Sequence, residues 1–316
     1  MSATLLPHQS TAVYLTDGGL ETTLVFLEGI DLPCFAAFDL LKDEKGYAVL
    51  RNYYNRYLNI AKQFKTGFIL ESPTWRANPH WIAQTGYPAQ ALQEVNAKAV
   101  QLLQQLKEEF SHAVSPIVIS GCVGPGGDGY ITGDKMSVEE AEQYHLPQIE
   151  VFKSARVDMI AAITMNYVEE ALGIARAAAA VNLPCVISFT VETDGRLFTG
   201  MHLQEAIEQI DHHTAEPPAY YMINCAHPIH FTDELLNHKN EPWTKRIKGV
   251  RANASWKSHA ELDESLTLDR GDILQLGRAH RTLKENFDQL NVFGGCCGTD
   301  EAHVLEIIRQ VNQGGQ

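Results

Sequence analysis

Short β-branched and apolar runs alternate with longer stretches of helical periodicity along the whole chain, and this strand-then-helix order limits the fold more than any other feature. The strand candidates are Val13 to Thr16, Gly67 to Glu71, Pro116 to Ser120, Met159 to Thr164, Cys185 to Val191, Tyr220 to Cys225, Lys248 to Ala252 and Asn291 to Phe293. Between them lie helical segments at Tyr47 to Gln63, Pro88 to Phe110, Val138 to Ala155, Val168 to Val181, Leu203 to His212, Phe231 to Asn237, Asp272 to Phe287 and Glu301 to Gln310. Repeated βα units predict a parallel sheet with its helices outside, and eight of them favour a closed (β/α)8 TIM barrel of the α/β class. An open doubly wound sheet is the alternative this order admits. With 316 residues, 45% of them hydrophobic, the chain can bury one large core. A single domain over 1–312 is expected, with a polar Gly/Gln tail at 313–316 expected to be disordered.

Active sites in such barrels sit at the C-terminal ends of the strands. The unusual residues of this chain fall there. Strand one runs into Thr16-Asp17-Gly18-Gly19, strand two into Glu71-Ser72-Pro73-Thr74-Trp75, and strand three into the glycine-rich Gly121 to Gly129. Strand five ends before Glu192-Thr193-Asp194-Gly195-Arg196, strand six at Asn224-Cys225, strand seven at Asn253, and strand eight at Gly294-Gly295-Cys296-Cys297-Gly298. Adjacent residues of a regular strand point to opposite faces, so Cys296 and Cys297 reach one point only where the backbone leaves the strand, which flanking glycines permit.

Thiolates are soft ligands that suit zinc, and a catalytic zinc takes three protein ligands and keeps one position open. Cys225, Cys296 and Cys297 supply that count. Three thiolates on Zn²⁺ give a site of net charge −1 that would hold an incoming thiol as its thiolate and keep the sulfur electron-rich. Such a site suits attack by sulfur on an alkyl donor. Other readings are a vicinal disulfide, two unrelated core thiols, or a structural zinc with His227 as fourth ligand. Asp17 is equally a turn former before its glycines, and His212 and His213 read as solvated. Cys34, Cys122 and Cys185 read first as core residues. Gly121 to Gly129 lacks the Lys-Ser/Thr ending of a phosphate loop.

The formal net charge of −14 opposes nucleic acid or an anionic membrane as partner. A small-molecule ligand is expected. The first residues, Met1 to Pro7, carry no basic group before an apolar core, and no run is long and apolar enough to span a bilayer, so a cytoplasmic protein with reduced cysteines is expected. Nothing in the sequence specifies an oligomeric state.

Taken together, Thr16-Asp17-Gly18-Gly19, Thr74-Trp75-Arg76-Ala77, Val123-Gly124-Pro125, Ser188-Phe189-Thr190 with Asp194-Gly195-Arg196, Asn224-Cys225 and Gly294-Gly295-Cys296-Cys297-Gly298-Thr299 resemble the homocysteine S-methyltransferase family over nearly the whole chain. The resemblance implies a zinc-containing (β/α)8 barrel that methylates the sulfur of homocysteine to form methionine. It carries the zinc ligands onto Cys225, Cys296 and Cys297, and a substrate-contacting aspartate onto Asp17, making these four the candidate catalytic residues. Candidate substrate contacts at the strand ends are Asp17, Gly18, Thr74, Glu71, Ile163 and Asn253.

One position departs from the family. Strand four commonly ends in Glu-Thr there, the glutamate helping to hold the amino group of homocysteine, whereas this chain places Ile163 before Thr164. A partly buried ammonium without a counter-charge costs several kcal/mol, which makes thiol methylation a firmer expectation than homocysteine itself; Glu71 reads equally as the replacement charge or as a solvated strand-end residue, and Glu192 is a weaker substitute. Family members take methyl groups from S-methylmethionine, S-adenosylmethionine, betaine or methylfolate. A small sulfonium donor is expected, drawn to Trp75, Trp256 and an acidic mouth. The competing functions are zinc-dependent alkyl transfer or demethylation on another sulfur compound, and a non-catalytic thiol- or zinc-binding barrel.

Overall fold

Eight parallel strands close on themselves in the computed structural model, which describes residues 4–131, 133–263 and 267–313. The strands are β1 (Tyr14–Leu15), β2 (Gly67–Glu71), β3 (Ile117–Val123), β4 (Met159–Met165), β5 (Cys185–Phe189), β6 (Tyr220–Asn224), β7 (Ile247–Ala252) and β8 (Val292–Gly295). Each pairs with the next, and β1 closes the ring on β8 through Tyr14 opposite Val292 and Leu15 opposite Phe293. The open-sheet alternative is thereby excluded.

One helix after each strand completes the βα units: α1 (Glu44–Phe64), α2 (Ala91–Phe110), α3 (Val138–Ser154), α4 (Val168–Ala180), α5 (Leu203–His213), the six-residue α6 (Thr232–Asn237), α7 (Ile273–Asn286) and α8 (Glu301–Gln313). Their starts follow local chemistry. The Asp43 side chain accepts from the Gly46 amide to cap α1, Ser137 and Glu140 form a reciprocal capping box on α3, and Asp272 caps α7 through the Gln275 amide. Gln313, expected in the tail, closes α8, while residues 314–316 lie outside the described ones. Among the described residues no helix is long and apolar enough to cross a membrane.

Two apolar clusters divide the core. Alternate residues including Ile69, Val118, Met159, Ala161, Val186, Met222 and Val292 fill the barrel interior together with Tyr14 and Leu6. The opposite faces pack against the helices in a much larger cluster. Sealing one end of the barrel, Asn291 donates from its amide to the carbonyls of Pro7, Ser10 and Ala12, and the Tyr14 hydroxyl donates to Leu5. Strand period two then brings Glu71, Ser120, Ser188, Asn224 and Arg251 inward near the C-terminal ends, so the upper interior is polar and hydrogen-bonded.

Candidate active site

The three thiols expected to converge do so: the sulfurs of Cys225, Cys296 and Cys297 all lie within 4.8 Å of one another. Cys225 follows β6 in a left-handed conformation, φ 51°, which is strained for a residue with a Cβ and re-aims its side chain at the strand end. Its amide donates to the Arg251 carbonyl at 2.9 Å, and that of Cys296 to Ala252 at 2.8 Å, so backbone ladders position both thiols. Asn224 accepts from the Thr164 amide and the Ser188 hydroxyl and donates to Thr164 Oγ1, which holds its amide toward Cys296 Sγ at 3.9 Å. Asn253 donates to Cys225 Sγ at 3.6 Å.

Gly294 and Gly295 remain within β8, and their role is close approach rather than an unusual backbone angle. A Cβ on Gly295 would collide with the Thr299 side chain, and one on Gly294 with Thr16. Only Gly298, φ 77°, supplies the left-handed turn that follows the paired cysteines.

Thiol hydrogen bonds from Cys225 and Cys297 pull Cys296 well below the ordinary thiol range, against its burial. Burial pushes Cys225 up, and hydrogen bonding to its two sulfur neighbours pushes Cys297 up. One sulfur of the three therefore carries negative charge most readily. Tetrahedral zinc binds thiolate at about 2.3 Å, which sets ligand sulfurs about 3.8 Å apart, and three sulfurs all within 4.8 Å of one another are close enough that this donor set could hold a metal ion. All six cysteines are free thiols, and His227 is outside the cluster, its Nδ1 accepting from the Ile229 amide. The disulfide and His227 readings thus find no support. Cys122 and Cys185 are buried as expected, but Cys34 is exposed.

Beneath the thiols lies a buried ion triad that sequence reading missed. Arg251 donates from Nη2 to Asp17 Oδ1 at 2.6 Å, from Nη1 to Glu71 Oε2 at 2.5 Å, and from Nε to the Gly295 carbonyl at 3.2 Å. The Tyr53 hydroxyl donates to the other oxygen of Asp17, and Ser120 to the other oxygen of Glu71. Burial pushes both carboxyls above the usual range and Arg251 opposes that rise, while the paired anions outweigh burial and hold Arg251 protonated. Glu71 is therefore already neutralised from within the protein, which removes the free counter-charge expected of it.

A cleft of about 530 Å³ opens above this triad, lined by Asp17, Gly18, Glu71, Ile163, Cys296 and Cys297, with Glu21 and Arg76 on its walls. A second cavity of about 460 Å³ adjoins it and is lined by Cys225, Asn253, Glu192 and His259. Tyr130 and Cys297 belong to both. The Tyr130 hydroxyl lies 3.0 Å from Cys225 Sγ and 3.5 Å from Cys297 Sγ, and its ring stacks on His259. Thr74 lines neither cavity, because its hydroxyl donates to the Cys122 carbonyl at 2.7 Å and braces the β2 turn. Trp75 lines the first cleft but faces Arg76, a protein cation, at 4.5 Å. Trp256 is 61% exposed and lines neither cavity.

The comparison with curated proteins returns no match. Among solved structures, the chain is similar to the Escherichia coli homocysteine methyltransferase MmuM in its oxidised form, with 20% identity, TM-score 0.75, and 96% of this chain and 98% of that one covered. The metallated form of MmuM gives 19% identity, TM-score 0.73 and coverage of 96% and 97%. These likenesses establish the shared barrel. The family profile described as homocysteine S-methyltransferase matches residues 14–311, nearly the whole chain, and the chain therefore belongs to the homocysteine S-methyltransferase family and is a methyltransferase.

Proposed function

We propose that this protein is a zinc-dependent S-methyltransferase that moves a methyl group from a small sulfonium donor, S-methylmethionine or S-adenosylmethionine, to the thiol of homocysteine. The carrying observation is the cluster of Cys225, Cys296 and Cys297 at the strand ends beside an open cleft, on a chain of this family. Zinc held by these thiolates would keep the acceptor sulfur deprotonated at neutral pH. The acceptor sulfur supplies the electron pair to the methyl carbon, the methyl–sulfur bond of the donor breaks, and the donor leaves as a neutral thioether.

The surrounding side chains have separable tasks. Asn224 and Asn253 orient two of the sulfurs, and the Asp17–Arg251–Glu71 triad braces the floor of the cleft. The second cavity suits the donor. Its described walls combine Phe26, Phe35 and Tyr130 with Asp128, Glu192, Asp263 and Asp269, and include no lysine or arginine. Aromatic faces and carboxylates attract a sulfonium and repel an anionic donor such as a folate. Free thiols throughout fit a reducing, cytoplasmic setting.

The test is metal analysis of Cys297→Ser beside the parent protein, both purified under reducing conditions, with methyl transfer from S-methylmethionine to homocysteine followed as methionine. One zinc per chain and transfer by the parent are expected, with both lost in the variant. Undiminished zinc in Cys297→Ser would refute the ligand assignment, and a zinc-loaded parent inert toward both sulfonium donors would refute the reaction.

A further inference from the structure

Two ionisable side chains in the acceptor cleft are incompletely paired among the described residues. The Arg76 side chain is only 10% exposed and is held between the rings of Trp81, at 3.5 Å, and Trp75, at 4.5 Å. Its Nε and Nη1 are buried without a hydrogen-bond acceptor, and its nearest carboxylate, Asp128, is 3.8 Å from Nη2. Glu21, on the segment that follows β1, lines the same cleft and, among the described residues, forms no ion pair. Arg76 and Glu21 thus share one cavity with Cys296 and Cys297 without pairing with each other.

We infer that Glu21 and Arg76 read the two charges of an α-amino acid acceptor, Glu21 taking its ammonium and Arg76 its carboxylate, while the sulfur reaches the cysteine cluster. This rests on the proposed thiol acceptor and adds how the chain recognises it. A guanidinium presents planar donors that match a carboxylate in bidentate fashion, and stacking between two indoles fixes that plane in advance. Nε and Nη1 carry no accessible surface, so a carboxylate in the cleft reaches them only with a shift of the guanidinium, and that pairing removes the cost of leaving them without an acceptor.

The same logic holds for Glu21. Burial, together with Asp17 and Cys296, pushes its carboxyl up to about 7, and an ammonium beside it would restore the ionised form. Ile163, where the resemblance expects a carboxylate, forms an apolar wall of the cleft, and its carbonyl accepts from the Trp75 indole at 3.3 Å. Side-chain methylenes of the acceptor fit against that wall. The ammonium counter-charge has moved from the end of β4 to the segment after β1.

Binding of three thiols to the zinc-loaded protein separates the two contacts: homocysteine, 4-mercaptobutanoate, which lacks the ammonium, and 3-mercaptopropylamine, which lacks the carboxylate. Calorimetric titration gives each affinity, and intrinsic fluorescence reports the indoles around Arg76. Arg76→Gln should weaken homocysteine and 4-mercaptobutanoate by about ten- to a hundredfold and leave 3-mercaptopropylamine nearly unchanged. Glu21→Gln should weaken homocysteine and 3-mercaptopropylamine to a similar degree and spare 4-mercaptobutanoate. Equal losses for all three thiols, or none, would overturn the inference. If Arg76→Gln disturbs the tryptophan sandwich, Arg76→Lys keeps the charge without the planar fork and should lose part of the carboxylate preference; an unchanged preference counts against Arg76. A wild type that shows this binding pattern but transfers no methyl group would sink the proposed reaction while sparing the clamp.

Discussion

Replacing Arg251 by methionine would keep the bulk of an arginine stem while removing the cation that two buried carboxylates share. In the native protein Asp17 and Glu71 each meet a guanidinium nitrogen at 2.6 and 2.5 Å, with the side chains of all three at most 9% exposed. Removing one partner of a buried ion pair costs about 3–5 kcal/mol, because the remaining charge is left unpaired in a poorly solvating interior. Two carboxylates lose their partner here, so Arg251→Met should fall at the upper end of that range. Tyr53 and Ser120 still donate to Asp17 and Glu71 and limit the loss.

This loss carries a pH signature of definite sign. Without Arg251 the native carboxyls rise further above their unfolded values of about 3.9 and 4.3. The folded state then holds protons that the unfolded state has released. Stability is retained below the unfolded values and lost as pH rises through the raised native ones. The deficit of Arg251→Met against wild type should therefore shrink from pH 7.5 to 5.5, by at most about 1.4 kcal/mol per pH unit for each carboxyl. Urea unfolding at matched metal content measures it. Adding Asp17→Asn and Glu71→Gln to Arg251→Met should recover most of the deficit at pH 7.5, since no buried charge remains. A loss below about 1 kcal/mol, or a deficit independent of pH, would refute the account of the triad as a buried, mutually neutralising unit.

Further outcomes follow from other parts of the site and core. His280 is fully buried, with Nδ1 donating to the Leu276 carbonyl, and burial lowers it to about 4. The unfolded state gains a proton there first, so stability should fall on acidification from pH 7 to 5 by about 2 kcal/mol for this residue, and His280→Leu should flatten that part of the curve. Gly295→Ala should cost about 1–3 kcal/mol and lower metal content, because its new methyl displaces the Thr299 hydroxyl that donates to the Cys296 carbonyl. Partial recovery on adding Thr299→Ala would confirm the collision; unchanged stability and metal content in Gly295→Ala alone would exclude it.

The barrel was legible because its signal is long and repeated: eight apolar runs, each with a helical segment after it, survive errors of two or three residues at their ends. Such errors occurred. β1 is shorter than the run from Val13 to Thr16, β3 continues to Val123, and the chain between β1 and α1 is a series of short helical turns with no periodic signature. The thiol cluster was legible because adjacent cysteines after two glycines are chemically unusual. Arg251 carries a signal of its own. A charged residue inside a strand buried on both faces requires a buried counter-ion, and Glu71 ends a strand equally buried. Tyr130 gave no such sign, since a tyrosine in a glycine-rich loop reaches the sulfurs only through that loop's tertiary path.

A barrel mouth explains how the ammonium counter-charge can change address without changing the chemistry. All eight strand ends converge on one cleft, so a carboxylate is useful wherever a strand or its following loop can aim it at the same point. Glu71 cannot take that role while Arg251 and Ser120 occupy both its oxygens, and adding a carboxylate at Ile163 would place an anion in a cleft that already holds Glu21, Asp17 and a readily ionised Cys296. Ile163→Glu should therefore fail to improve homocysteine affinity in the parent protein. In a Glu21→Gln background the same substitution should restore it in part, because the ammonium regains a single anionic partner. Titration of homocysteine into these two Ile163→Glu proteins and their parents reads the difference. An equal gain in both backgrounds would mean that Glu21 never served the ammonium, and equal losses would mean that position 163 does not face it.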